Sequence, residues 1–172
     1  MFIELIATVF AGIACAGVVL MANILAGRRL PKWVMPVAAG LGMIGVTILN
    51  EYTWFDRTAN GLPEGVTVAM SVTEQSWVRP WTQVWPYTKR FVAADIVSTK
   101  THKSLPAQRI VDLYFFGRWS PVNRAPMLFD CDASRSALLI DGAVFNEEGQ
   151  IVNADWQSMA KDDPILALVC KA

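Results

Sequence analysis

The chain has one histidine, three cysteines and little charge: Asp, Glu, Lys and Arg make up 17% of its 172 residues, against ~25% in soluble proteins generally. The lone imidazole, His102, excludes a zinc or haem site built on several of them. No Cys-x-x-Cys pair, haem-attachment motif, Walker loop or dinucleotide fingerprint occurs, so no cofactor and no metal is expected. The 15 basic and 15 acidic side chains cancel. Beyond one short turn there is no basic cluster, which argues against a nucleic-acid partner.

What is abundant is apolar surface, 53% of residues, and most of the excess lies in two runs at 2–26 and 33–50. The first carries a single charge, Glu4, and the second none. Each is long enough to cross a hydrocarbon core of about 30 Å as a helix, the form in which a single span satisfies its own backbone in lipid. The expected fold class is a membrane protein with an N-terminal two-helix transmembrane hairpin and a small mainly-β, or α+β, extramembrane domain. The spans are expected at about 3–26 and 33–50, with Pro31 early in the second helix and Pro36 kinking it. A connector rich in aromatics and proline, with one strand, is expected at 51–90, and the β domain at 91–172.

Orientation follows from Lys and Arg close to the spans. The turn at 27–32 holds Arg28, Arg29 and Lys32, whereas the first tail has none and the stretch after the second span opens with Glu51 and Asp56. The turn is therefore expected in the cytoplasm. Both termini and residues 51–172 fall on the other side, the periplasm of a bacterium whose inner membrane holds the hairpin. Trp33 at one edge, with Tyr52, Trp54 and Phe55 at the other, fits interfacial aromatic belts. A cleaved signal peptide is the rival reading of the first run, supported by the triplet Ala14-Cys15-Ala16. The start Met1-Phe2-Ile3-Glu4 lacks its basic region, and the run exceeds the usual apolar length.

Small residues recur at helical spacing: Ala7, Ala11, Gly12, Cys15 and Ala16 in the first span, Ala38 and Gly42 in the second. Such stripes let helices approach closely, either each other or a helix of another membrane protein. Asn23 is the only strongly polar side chain well inside a span, so an ion path is not expected.

Beyond the spans, alternation replaces helical periodicity. Residues 66–72 are a predicted strand with Val66, Val68, Met70 and Val72 on one face; 91–98 and 109–116 are predicted to form a hairpin across the polar stretch 99–108. Further strands are expected at 127–131, 137–140, 143–145, 150–153 and 165–170, with turns at Asp141-Gly142 and Glu148-Gly149. A brief helix is expected at 155–161, capped by Asp155 and stopped by Asp163-Pro164. These elements suit a small sandwich or partly open barrel. Cys131 and Cys170 are expected to form a disulfide in an oxidising compartment, the alternative being two unrelated buried thiols.

Catalytic constellations are thin. Ser104, His102 and either Asp95 or Asp112 supply the residue types of a hydrolytic triad, without a nucleophile elbow or oxyanion turn. Ser158 and Lys161 match Ser-x-x-Lys without its companion motifs. Asp130-Cys131-Asp132-Ala133-Ser134 begins like a calcium loop, but Arg135 stands where glycine is required. No catalytic residue is assigned.

The distinctive segment is 77–90, with three of the seven tryptophans, Trp77, Trp81 and Trp85, alongside Tyr87, Arg79, two prolines and two more cations, Lys89 and Arg90. These rings either fill a small core or form a surface for lipid or a partner, to which Trp119 belongs; Trp, Tyr and Arg are the usual interface anchors. The expected function is a non-catalytic accessory or stabilising subunit of a larger inner-membrane complex, its partners the bilayer and another integral membrane protein. The alternatives are a periplasmic ligand-binding or sensor module and a membrane-tethered hydrolase.

Overall fold

The computed structural model describes residues 2–103, 105–139, 146, 151–152 and 154–171. The chain forms two compact units, Met1–Arg57 and Thr58–Ala172.

The first unit is a pair of long apolar helices, α1 (Phe2–Leu25) and α2 (Val34–Asn60). Both are long and apolar enough to cross a membrane. Between them the chain turns on a Schellman motif. Gly27 takes a positive φ of 74°, its N–H donates to Ile24 O, and Arg28 N donates to Asn23 O at 2.7 Å. The Asn23 side chain adds a bond, accepting Leu30 N–H at 2.9 Å, so this polar residue serves the turn.

The small-residue stripes meet. A Cβ added at Gly12 would come within 2.5 Å of Met43 Cε, and one at Gly42 within 2.5 Å of Cys15 Sγ, with Ala39 O and Ala11 O close behind. Ala16 and Ala38 are half-buried, while Ala7 is exposed, outside this seam. Glu4 forms a 3.6 Å ion pair with Arg57 at the far end of the hairpin.

Four expectations for this unit change. The helix α2 does not stop near residue 50 but runs to Asn60, because no breaker intervenes before Gly61 and Pro63. Pro31 precedes α2 instead of lying within it. Pro36 is its third residue, where no intrahelical bond is lost. Trp54 is buried, with Glu51 one turn earlier, and is not a ring facing headgroups.

The second unit is an antiparallel β half-barrel. Its strands are β1 (Val66–Glu74), β2 (Tyr87–Asp95), β3 (Lys100–His102), β4 (Leu105–Gly117), β5 (Ser120–Asp130), β6 (Arg135–Leu138) and β7 (Gln157–Ser158), followed by the helix α3 (Pro164–Lys171). The sheet runs β1-β2-β4-β5-β6-β7, and β3 pairs with β4. The barrel expectation fits this single sheet and the sandwich does not.

Strand alternation explains the core. Val92 and Ala94 of β2, with Ile96 just beyond it, lie on one face with Val111 and Leu113 of β4 and Met127 and Phe129 of β5; Ile165, Leu166, Leu168 and Val169 of α3 pack against them. Full burial of a Leu or Val side chain contributes about 1.5–3 kcal/mol, so these few contacts carry much of the unit's stability. In β1 the expected single face breaks. Val68 pairs with Ala93 and Met70 with Val92, leaving Ala69 as an extra residue, and Met70 turns outward.

The C-terminal expectations are reversed. Residues 165–170 lie in a helix, and 155–161 contains the strand β7. Asp163-Pro164 starts α3: Asp163 Oδ1 accepts the N–H groups of Ile165 at 2.8 Å and Leu166 at 3.3 Å, and Pro164 takes the first helical position. Proline loses nothing there, since that N–H has no helical acceptor. Asp155 caps no helix. At the other end of α3, Arg109 Nη1 donates to Val169 O at 2.7 Å.

The expected hairpin forms, with β4 longer and the loop shorter than predicted, since Lys100, Thr101 and His102 pair with β4. The connector expected at 51–90 is divided among α2, β1, a loop and the start of β2. The strand at 143–145 and both flanking turns lie outside the described residues, as do parts of the strands at 137–140 and 150–153.

Candidate functional site

The two ends of the half-barrel differ in kind. At one, where α2 leads into β1, Gly65 at φ 92° sits against Val97, and Ile96 N donates to Gly65 O. The disulfide Cys131–Cys170 closes the same end, spanning 39 residues to bind α3 to the β5–β6 turn. Asp130 organises that turn, accepting Ala133 N–H and a fork from Arg135 Nε and Nη2 at 3.1 and 2.8 Å. Burial pushes the Asp130 carboxyl up. The Ala133 N–H, Arg135 and the Asp132 N–H outweigh it and hold the carboxyl below the usual carboxylate value. The Arg135 guanidinium stacks on Trp156 at 4.3 Å.

The opposite end holds two tight turns. Between β1 and β2, Arg79 N donates to Ser76 O at 3.1 Å, and the two residues form a bridge that leaves Trp77 and Val78 at the tip. Thr82 pins this loop from inside. Its buried hydroxyl accepts Ser76 N–H at 2.8 Å and donates to Arg79 O at 2.7 Å, while Pro80 opens a 3-10 helix, Pro80–Gln83.

The tip is thus fixed by hydrogen bonds yet presents apolar side chains to solvent: Trp77 is 92% and Val78 88% exposed. Val84, Trp85 and, less fully, Trp81 are exposed beside it, whereas Tyr87 is buried under the Arg79 guanidinium, 5.8 Å from its ring. Core filling therefore accounts for Tyr87 and not for the tryptophans.

The second turn lies between β4 and β5. Gly117 pairs with Ser120, leaving Arg118 and Trp119 at the tip, and Arg118 lies 4.9 Å from the Trp119 ring. A side chain at position 117 would meet Ser120 Oγ and turn that hydroxyl aside. Since Arg90 pairs with Gly117 and Arg118 N donates to Lys89 O at 3.0 Å, both turns sit at one end of the sheet. Lys89, Arg90, Gly117, Arg118, Trp119 and Ser120 line an open groove of about 280 Å³ between them. The sheet thus joins Trp119 to the 77–90 segment across some thirty positions of chain, which neither run shows by itself.

β1 carries the chain from one end of the sheet to the other, nine residues and about 30 Å of strand, before Trp77 is reached.

The hydrolytic constellations do not assemble among the described residues. His102 is exposed in β3, Asp112 is bound by Arg124 at 2.6 Å, Asp95 caps the turn at Ser98, and Ser104 lies outside the described residues. Ser158 lies in β7 opposite Arg135, so Lys161 is not one helical turn away on its face. Asp130 serves the turn it opens. Among the described residues no three His, Cys, Asp or Glu side chains converge as a metal site. The interior of the half-barrel is packed by α3, and the groove lies open at its rim.

No known protein family, curated protein or solved structure matches this chain.

Proposed function

We propose that this protein is a non-catalytic accessory or stabilising subunit of a larger inner-membrane complex, anchored by α1 and α2, with its half-barrel on the periplasmic side. The observation that carries this reading is the turn at Ser76–Arg79. A protein gains no stability by holding Trp77 and Val78 in water on a hydrogen-bonded tip, and aromatic side chains on a rigid support lose little entropy when a partner covers them.

Two further observations support the placement. Arg28, Arg29 and Lys32 concentrate the positive charge near the spans in the turn between α1 and α2, favouring a cytoplasmic turn. The disulfide fits an oxidising compartment on the opposite side. With Gly12 and Gly42 engaged in the contact between α1 and α2, the outward faces, including Phe10, Ile13, Leu41 and Ile44, are left to lipid or to a partner's helices.

The test is purification of the full chain in a mild detergent, with native electrophoresis and stoichiometry by mass spectrometry. The expected result is a membrane partner at fixed stoichiometry that is lost in Trp77→Ser/Val78→Ser. Recovery of free protein alone, at every detergent strength that keeps other membrane complexes intact, would count decisively against the proposal.

A further inference from the structure

We infer that the rim groove between β2 and the β4–β5 turn is a binding site for a phosphate-type anion carried on an apolar chain, the chemistry of an anionic phospholipid. Three of its six lining residues are cations. Lys89 is held in an ion pair by Glu74, and Arg90 and Arg118 bring guanidinium groups to the groove. Guanidinium groups present several N–H donors in a plane and suit the multiple oxygens of a phosphate better than a single point charge does. The Ser120 hydroxyl adds a donor at the groove wall.

Charge distribution supports an anion. Beyond residue 50 the chain has 12 Lys and Arg against 14 Asp and Glu, yet at this end Arg79, Lys89, Arg90 and Arg118 face one carboxylate, Glu74. The other end of the strands mixes the acids Glu64, Asp95, Asp130 and Asp132 with the cations Lys100, Arg109 and Arg135. The surplus of cations over acids at this end focuses positive potential on the groove.

Size and surroundings define the rest of the ligand. About 280 Å³ accommodates a headgroup and not a whole lipid. Trp119, 60% exposed, forms one wall, and the exposed Val84 and Trp85 precede Lys89 on the same end, giving an attached chain an apolar surface. The inference does not depend on the accessory role, since the groove is formed by this chain alone.

The test uses the full chain in an uncharged detergent, labelled with 5-fluorotryptophan, with the Trp119 fluorine signal assigned by Trp119→Phe. Dihexanoyl phosphatidylglycerol, inorganic phosphate and dihexanoyl phosphatidylcholine are titrated in turn. The expected result is a saturable shift of the Trp119 signal with phosphatidylglycerol, weakened roughly tenfold or more in Arg90→Gln/Arg118→Gln, a loss of about 1.4 kcal/mol. Arg90→Lys/Arg118→Lys should retain part of the affinity. An equal response to inorganic phosphate supports the anion site and assigns binding to the headgroup alone; tighter binding of phosphatidylglycerol adds the chain. No shift, an equal shift with phosphatidylcholine, or binding unchanged in the glutamine variant overturns the inference. If that variant fails to form its disulfide, the comparison between phosphatidylglycerol and phosphatidylcholine on the unaltered protein still decides.

Discussion

The half-barrel has one end that is fastened and one that is displayed. At the end joined to α2, a disulfide, a buried carboxylate accepting hydrogen bonds from the Ala133 N–H and the Arg135 guanidinium, and a glycine of positive φ hold the chain together. At the other, equally well-bonded turns hold tryptophans out in solvent. Both ends spend hydrogen bonds on order, but only the first uses that order to bury apolar surface. Rigid support beneath exposed rings is what distinguishes a contact surface from a loose loop.

The largest effect expected from breaking this contrast comes from the fastened end. Cys131→Ser/Cys170→Ser opens a 39-residue loop and should cost about 4 kcal/mol on the chain-entropy estimate, read as a drop in the urea midpoint of the full chain. Loss of the Asp163 cap is next. Asp163→Ala leaves the Ile165 and Leu166 N–H groups without their acceptor and should cost about 1 kcal/mol, measured the same way, with amide exchange quickening in α3 ahead of the sheet.

Asp130 gives a smaller, pH-dependent signature. Its carboxyl is held below its unfolded value of about 3.9, so its contribution is present above that pH and is lost as pH falls through the lower folded value. Urea midpoints measured from pH 5 down to pH 2 should decline more steeply in the unaltered protein than in Asp130→Asn. Parallel curves would remove Asp130 from the fastening.

The displayed end should show the least effect on stability. Trp77→Ala and Trp85→Ala should each change it by less than about 0.5 kcal/mol, while reducing recovery of the membrane partner. A loss of stability of several kcal/mol would show that the rings pack against something, and the contrast between the ends would fail.

Local patterns carried the reading of the hairpin well, because each long apolar run needs nothing but its own composition to form a helix of spanning length. They located the turn at 27–32 and paired Cys131 with Cys170. They failed where two local signals competed. Ile165 to Cys170 is rich in branched apolar residues and suggests a strand; Asp163-Pro164 is equally a helix stop or a cap followed by a first helical residue. The two Asp163 bonds decide for the cap, and a start signal there was present in the sequence. The helix α2 outlasts its apolar run, continuing to Asn60, because loss of hydropathy does not end a helix and the next breaker is Gly61.

By itself, then, the sequence determined the two apolar helices, the β character of the rest, the cysteine pair and the unusual concentration of Trp and Arg at 77–90. Only the tertiary structure decided which rings are core and which are surface, since Tyr87 and Trp85 belong to the same run and differ in burial. It also decided that Trp119 and Arg118 share an end with that run, and that this end lies a full strand away from Gly65. The reason is physical. Composition and periodicity act within a few residues, whereas strand pairing sets side chains from distant stretches of chain beside one another, and that register is not encoded in either stretch alone.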